Sequence, residues 1–76
     1  MDRKEEVLRK FGRYVTARRE KKNQTIQELA LAAGLSSERL RQIEAGEIDV
    51  PLPTIISLSG GLEISPAELL QSLDPD

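Results

Sequence analysis

The sequence predicts an all-α fold, five short helices in one bundle spanning residues 1–76. Three observations predict it. Apolar residues recur at three- and four-residue intervals along most of the chain, the period of a single helix face. Thr25, Ser36 and Ser65 stand where helices should start, as hydroxyl residues able to accept a bond from a first-turn amide. Gly34 and Gly46 stand where two helices should stop, because glycine takes positive φ without a Cβ penalty.

The first helix is expected over residues 4–21, with Val7, Leu8, Phe11 and Val15 as its apolar stripe, Tyr14 at its border and Arg18 or Arg19 continuing it. Glu5–Arg9 and Glu6–Lys10 have the favourable i, i+4 order, worth about 0.3 kcal/mol each. Gly12 costs about 1 kcal/mol relative to alanine in a helix interior. Either it admits another helix at close range or it has no packing role. Lys21 to Gln24 connect to the second helix, residues 25–33. There Thr25 and Glu28 have the spacing of a capping box, and Leu29, Ala32 and Ala33 recur at helical intervals.

Gly34 ends that helix, Leu35 plugs the corner, and Ser36 caps a third helix over residues 36–45. On a wheel of about 100° per residue, Leu40 and Ile43 lie on the side of Ser36. Glu38, Arg41, Gln42 and Ala45 lie opposite, with Ser37 at the margin. One face packs and the other offers polar side chains outward. A helix presented in this way after a short glycine turn is the arrangement that reads a DNA major groove.

Pro51 and Pro53 predict a loop from Glu47 to Pro53. Pro53 or Thr54 then opens the fourth helix, about 54–61, with Ile55, Ile56 and Leu58 apolar. Gly61 reads as a close-packing position and Gly60 as a point where the helix frays. Ser65-Pro66 opens the fifth helix, 65–73, with Glu68 placed to close a second capping box and Leu69, Leu70 and Leu73 following. Asp74-Pro75-Asp76 reads as a frayed tail. The expected core is Leu8, Phe11, Val15, Leu29, Ala33, Leu35, Leu40, Ile43, Leu52, Ile55, Leu58, Leu62, Ile64, Leu69 and Leu70. Aromatic residues are 3% of the chain, so aliphatic packing must carry it.

The chain has no cysteine and no histidine, which removes disulfides, thiolate chemistry and the common zinc ligands. Neither a metal, a cofactor nor an enzymatic activity is expected. No apolar run approaches the ~20 residues needed to cross a bilayer, and the charged MDRKEEVLRK start lacks a signal-peptide core, so the expectation is a cytoplasmic protein away from membranes. Net charge is −2, but it is unevenly spread. Residues 1–22 carry nine Lys/Arg against four acids, and residues 23–76 carry two Arg against nine acids. A basic first helix on an acidic body can still meet phosphate locally.

Arg19, TIQELA (25–30), AAGLS (32–36), LRQIEAG (40–46) and LPTIISLSGGLEISPAELL (52–70) form an ordered pattern. It resembles the Xre family, the helix-turn-helix domains of the lambda-repressor and Cro type, over roughly residues 7–70. The resemblance implies a compact five-helix lambda-repressor-like bundle with the helix-turn-helix at helices 2 and 3. It implies double-stranded DNA as partner, read by a homodimer on an inverted-repeat operator, and a role in transcription regulation. Ser37, Glu38, Arg41 and Gln42 would face the bases: Arg41 suits guanine, Gln42 adenine, and Glu38 the cytosine amine. Phosphates would meet the amides of Thr25, Ile26 and Gln27 at the second helix, together with Arg39 and Arg13. Arg19 would pair with Glu44 and tie helix 1 to helix 3.

The chain departs from the family pattern at Ile26, where the family often has a phosphate-holding glutamine, at Glu47 and Asp49, where it often has Lys, Arg or Asn, and at Ala45, which lacks a polar group. These departures leave a second expectation open, a protein-interaction module such as an antitoxin-like partner. Leu31, Ile48, Val50, Leu70 and Leu73 are candidates for an apolar dimer patch, with helix 5 and the loop before it as the implied surface.

Overall fold

The computed structural model describes residues 3–73; the expected tail at Asp74–Asp76 lies outside the described residues. Its elements are α1 (Arg3–Lys21), α2 (Ile26–Ala33), α3 (Ser37–Glu44), α4 (Leu52–Leu62) and α5 (Pro66–Gln71). α1 packs on α3, α2 on both α3 and α4, and α4 on α5. Phe11 and Val15 from α1 meet Leu29, Ala30 and Ala33, Leu40 and Ile43, Ile55, Leu58 and Leu62, and Leu69, all buried. The core is thus one aliphatic cluster around a single phenylalanine.

Local chemistry sets the boundaries. Thr25 Oγ1 accepts from the Glu28 amide at 3.0 Å, and Glu28 Oε1 accepts from the Thr25 amide at 2.8 Å, completing the capping box. Ser36 Oγ accepts from the Arg39 amide at 3.0 Å. Gly34 and Gly46 both lie in the left-handed region, at φ 70° and 73°, where L side chains are disfavoured.

α4 starts earlier than the sequence suggests, at Leu52 with Pro51 as its cap. Pro53 falls in the first turn, where amides have no helical partner, so the missing N–H removes nothing. Nor does the helix fray at Gly60; it runs on to Leu62 and closes at Glu63. Glu63 sits at φ 60°, a conformation glycine usually supplies, with its carboxylate 2.9 Å from Lys22 Nζ. That ammonium holds the Glu63 carboxyl below its usual pKa range.

Ser65 caps α5 through the Glu68 amide at 3.1 Å, but the reciprocal half of the expected capping box is replaced. The Glu68 carboxylate instead accepts the Tyr14 hydroxyl at 2.9 Å and lies 3.2 Å from Arg18 Nη1. A charge-assisted tie between α1 and α5 outcompetes a local amide. Burial and this carboxylate push the Tyr14 phenol above its ordinary pKa.

Three residues expected in the core are not in it. Leu52 is 55% exposed and Leu70 39% exposed, while Leu8 is half-buried at the edge of α1. Leu35 and Ile64 are half-buried against the cluster, and Ala30 is buried where the sequence reading placed no core residue.

Within the helices, two glycines are demanded by packing. A Cβ on Gly12 would meet the Ile43 carbonyl oxygen at 2.6 Å and the Glu44 carbonyl oxygen closer still. A Cβ on Gly61 would meet Leu29 Cδ1 at 2.9 Å. The two sites differ in what must yield, backbone at Gly12 and a side-chain end at Gly61. Gly12→Ala gains about 1 kcal/mol of helix propensity, yet must drive α1 from α3. Chemical denaturation is expected to show a net loss of about 1–3 kcal/mol; a gain in stability would mean the α1–α3 contact is not tight.

Candidate nucleic-acid interface

α3 is held from one side and open on the other. Leu40 and Ile43 are buried in the core, and Leu35 fills the corner where the chain turns from α2. That turn is fixed by the Gly34 amide donating to the Leu31 carbonyl at 3.2 Å and the Leu35 amide to the Ala30 carbonyl at 2.8 Å. Opposite the buried stripe, Glu38, Arg41 and Ala45 are exposed, and Ser37 and Gln42 are half-buried at the flanks. Of the four candidate base-contact residues, Glu38 and Arg41 thus lie on the outward side of the helix, with Ser37 and Gln42 at its flanks. Glu38 Oε1 lies 4.0 Å from Arg41 Nη1, with both side chains more than half exposed. Such a pair is worth at most about 1 kcal/mol, so a base edge can displace it at little cost.

The inner end of α3 is tied to α1 by a nearly buried polar cluster. Arg19 Nε donates to Glu44 Oε2 at 2.8 Å, Nη2 to Oε1 at 3.2 Å, and Nη1 to the Gln24 carbonyl at 2.8 Å. The Arg19 and Glu44 side chains are 12% and 9% exposed. Hydrogen bonding to Glu44 outweighs desolvation and raises the Arg19 pKa further above its ordinary value, so the guanidinium stays charged. Thr16 Oγ1 lies 2.8 Å from Glu44 Oε1 and 2.9 Å from the Gly12 carbonyl. Sequence reasoning missed Thr16. The signal was present in the spacing, since residues 12, 16 and 19 fall on one helix face.

The phosphate candidates are spread differently. Thr25 and Gln27 are exposed at the start of α2, and Arg39 is exposed on α3. Arg13 is exposed on α1, one residue beyond the α3-facing Gly12 and so turned about 100° from it. The amide expected of Thr25 is already taken by Glu28, which corrects that detail; its hydroxyl proton and the amides of Ile26 and Gln27 are what remain at this helix start. The Ile26 side chain packs against the core rather than outward, which accounts for an apolar residue here. Beyond α3, Glu47 and Asp49 are exposed, and Asp49 Oδ1 lies 3.1 Å from Lys4 Nζ, so part of the acidic charge of this loop is answered by α1.

Of the apolar residues considered for a dimer patch, Ile48, Val50 and Leu73 pack against the core and are not free. Leu31 is 84% exposed on the outer side of α2. Leu52 and Ile56, four residues apart on α4 and both half or more exposed, form the patch that sequence reasoning missed. Among the described residues, no group of three or more His, Cys, Asp or Glu is placed to hold a metal, and no helix is long and apolar enough to cross a membrane.

Comparison with solved structures finds similar chains, two of which carry a stated role. The restriction-modification controller protein C.AhdI from Aeromonas hydrophila is 34% identical, covering 82% of this chain and 94% of its own, with a TM-score of 0.80. The clp gene regulator ClgR from C. glutamicum is 27% identical, covering 88% of this chain and 87% of its own, also with a TM-score of 0.80. No curated protein matches the sequence. The sequence model of one family, described as Helix-turn-helix, matches residues 15–69, the span that begins in α1 and ends in α5. With that span matched, and with α2, the Gly34 turn and an outward-facing α3 in place, the chain belongs to the Xre-like helix-turn-helix family.

Proposed function

We propose that this protein is a sequence-specific double-stranded-DNA-binding transcriptional regulator that acts as a homodimer on an inverted repeat. The observation that carries this reading is α3 itself, anchored by Leu40, Ile43 and Glu44 and presenting Glu38, Arg41 and Gln42 outward. Those side chains have the donors and acceptors that distinguish base pairs in the major groove. The two regulator neighbours support it. Ser37, Glu38, Arg41 and Gln42 are assigned to base edges, and Thr25 through its hydroxyl, Gln27, Arg39 and Arg13 to phosphates.

One reading helix spans few base pairs, so two related half-sites are needed. α4 supports dimerisation: Leu52 and Ile56 are exposed on it, and LPTIISLSGGL contains no ionisable residue. An isologous contact sets like against like, and an uncharged face meets no self-repulsion. Leu70 on α5 is a further exposed apolar residue beside a helix that packs on α4. Ile56→Glu leaves the core intact. Sedimentation is expected to find it monomeric, and its affinity for an operator with two half-sites should fall to that for one. Wild-type assembly and affinity in Ile56→Glu would reject the α4 dimer.

A second reading, a protein-interaction module, is favoured by carboxylates near the expected phosphate path: Glu28 on the Thr25 amide, Glu47 and Asp49. It predicts no salt-sensitive duplex binding and a protein that co-purifies with the chain.

A further inference from the structure

We infer that Thr16 is a positioning residue for the reading helix, acting through its hydroxyl on the Glu44 carboxylate. The inference rests on the DNA-reading role of α3. A threonine inside a helix ordinarily donates to the carbonyl four residues back, and Gly12 O is available to Thr16 at 2.9 Å. Here a second acceptor lies at 2.8 Å, Glu44 Oε1, across the α1–α3 gap. A hydroxyl has one proton, and a carboxylate is the stronger acceptor. The proton therefore goes to Glu44.

The geometry gives this bond a role distinct from that of Arg19. Arg19 grips both Glu44 oxygens from the side of the α1–α2 connection, and also holds the Gln24 carbonyl there. Thr16 approaches the same carboxylate from one turn earlier on α1. Arg19 already fixes the carboxylate plane through both oxygens; Thr16 adds a second point of attachment one turn earlier, so the end of α3 is held at two places along α1 rather than one. Gly12, a further turn back, lets the Ile43 and Glu44 carbonyls rest on the α1 backbone. Gly12 therefore sets how deep α3 sits, and Thr16 with Arg19 sets its rotation about its own axis. Glu38, Arg41 and Gln42 lie on the far side of that helix, so a change in rotation moves all three against the base edges. Of the phosphate donors, those on α1 and α2 are untouched by it and only Arg39, on α3 itself, moves with the three.

The test compares wild type, Thr16→Val and Thr16→Ser. Valine matches threonine in shape without the hydroxyl, and serine restores it. Binding is measured to an enriched operator and to an unrelated duplex of equal length. Thr16→Val is expected to lower operator affinity by about fivefold to tenfold, the worth of one hydrogen bond of ordinary net strength. Affinity for the unrelated duplex, which loses at most the Arg39 contact, should fall clearly less than that for the operator, and Thr16→Ser should recover the operator affinity. Equal losses on both duplexes, or no loss on the operator, would overturn the inference. A DNA-free readout separates its failure from failure of the DNA reading. Residual dipolar couplings of α3 amides should report a rotated helix in Thr16→Val and the wild-type orientation in Thr16→Ser. Unchanged couplings in Thr16→Val would overturn the positioning role even if no duplex is bound by any variant.

Discussion

Replacing Glu44 with alanine is expected to destabilise the fold by about 3–5 kcal/mol. The reason is what it leaves behind. Arg19 is 12% exposed and would lose both carboxylate partners while keeping only the Gln24 carbonyl. A guanidinium cannot discharge itself by losing a proton at accessible pH. Its charge would remain in a site built to be neutralised. For a domain of this size each kcal/mol shifts the melting temperature by about 4–8 °C, so thermal unfolding should show a fall of at least about 12 °C.

Arg19→Ala strands the opposite charge and should cost a similar amount. Arg19→Lys should not rescue it, because an ammonium cannot make the paired Nε and Nη2 contacts. Replacing both residues by apolar ones of similar size should cost less than either single change, since no charge is left alone. A melting temperature within a few degrees of wild type for Glu44→Ala would show that the pair is solvated.

The second large effect concerns recognition. Arg41→Ala should relax preference at one base pair in each half-site by about 1–3 kcal/mol, the worth of one bidentate contact to guanine. In a two-fold assembly the loss is taken twice, so operator affinity falls by the sum of both half-sites. Arg41 faces bases rather than phosphates in this account, so the salt dependence should change little. Arg39→Ala should behave the other way, weakening all duplexes alike with a shallower salt slope. If Arg41→Ala discriminates among operators as wild type does, the outward face of α3 does not read sequence at that residue.

Much of this was legible in the sequence because the relevant forces are local. The Thr25–Glu28 box, the Ser36 cap and the Gly34 stop involve residues at most five apart, and the structure has them as read. The α3 wheel separates Leu40 and Ile43 from Arg41 for the same reason. What the sequence could not show depends on which helix lies opposite. Gly12 has a packing role only because α3 carbonyls lie on it, and Glu68 leaves its own cap only because Tyr14 and Arg18 are nearby. Leu52 reads as core from its hydropathy, yet the α4 start turns it outward. Thr16 carried a visible spacing signal, but threonine in a helix is too common a residue for the spacing to be decisive.

The measurement that tests the DNA-reading account most directly is selection from a randomised duplex pool with the purified protein, followed by binding of the enriched sequence at low and near-physiological salt. The account predicts enrichment of an inverted repeat, with affinity that falls steeply as salt rises. Absence of any enriched sequence, together with no duplex binding at low salt, would contradict it and make the outward face of α3 a surface for a protein.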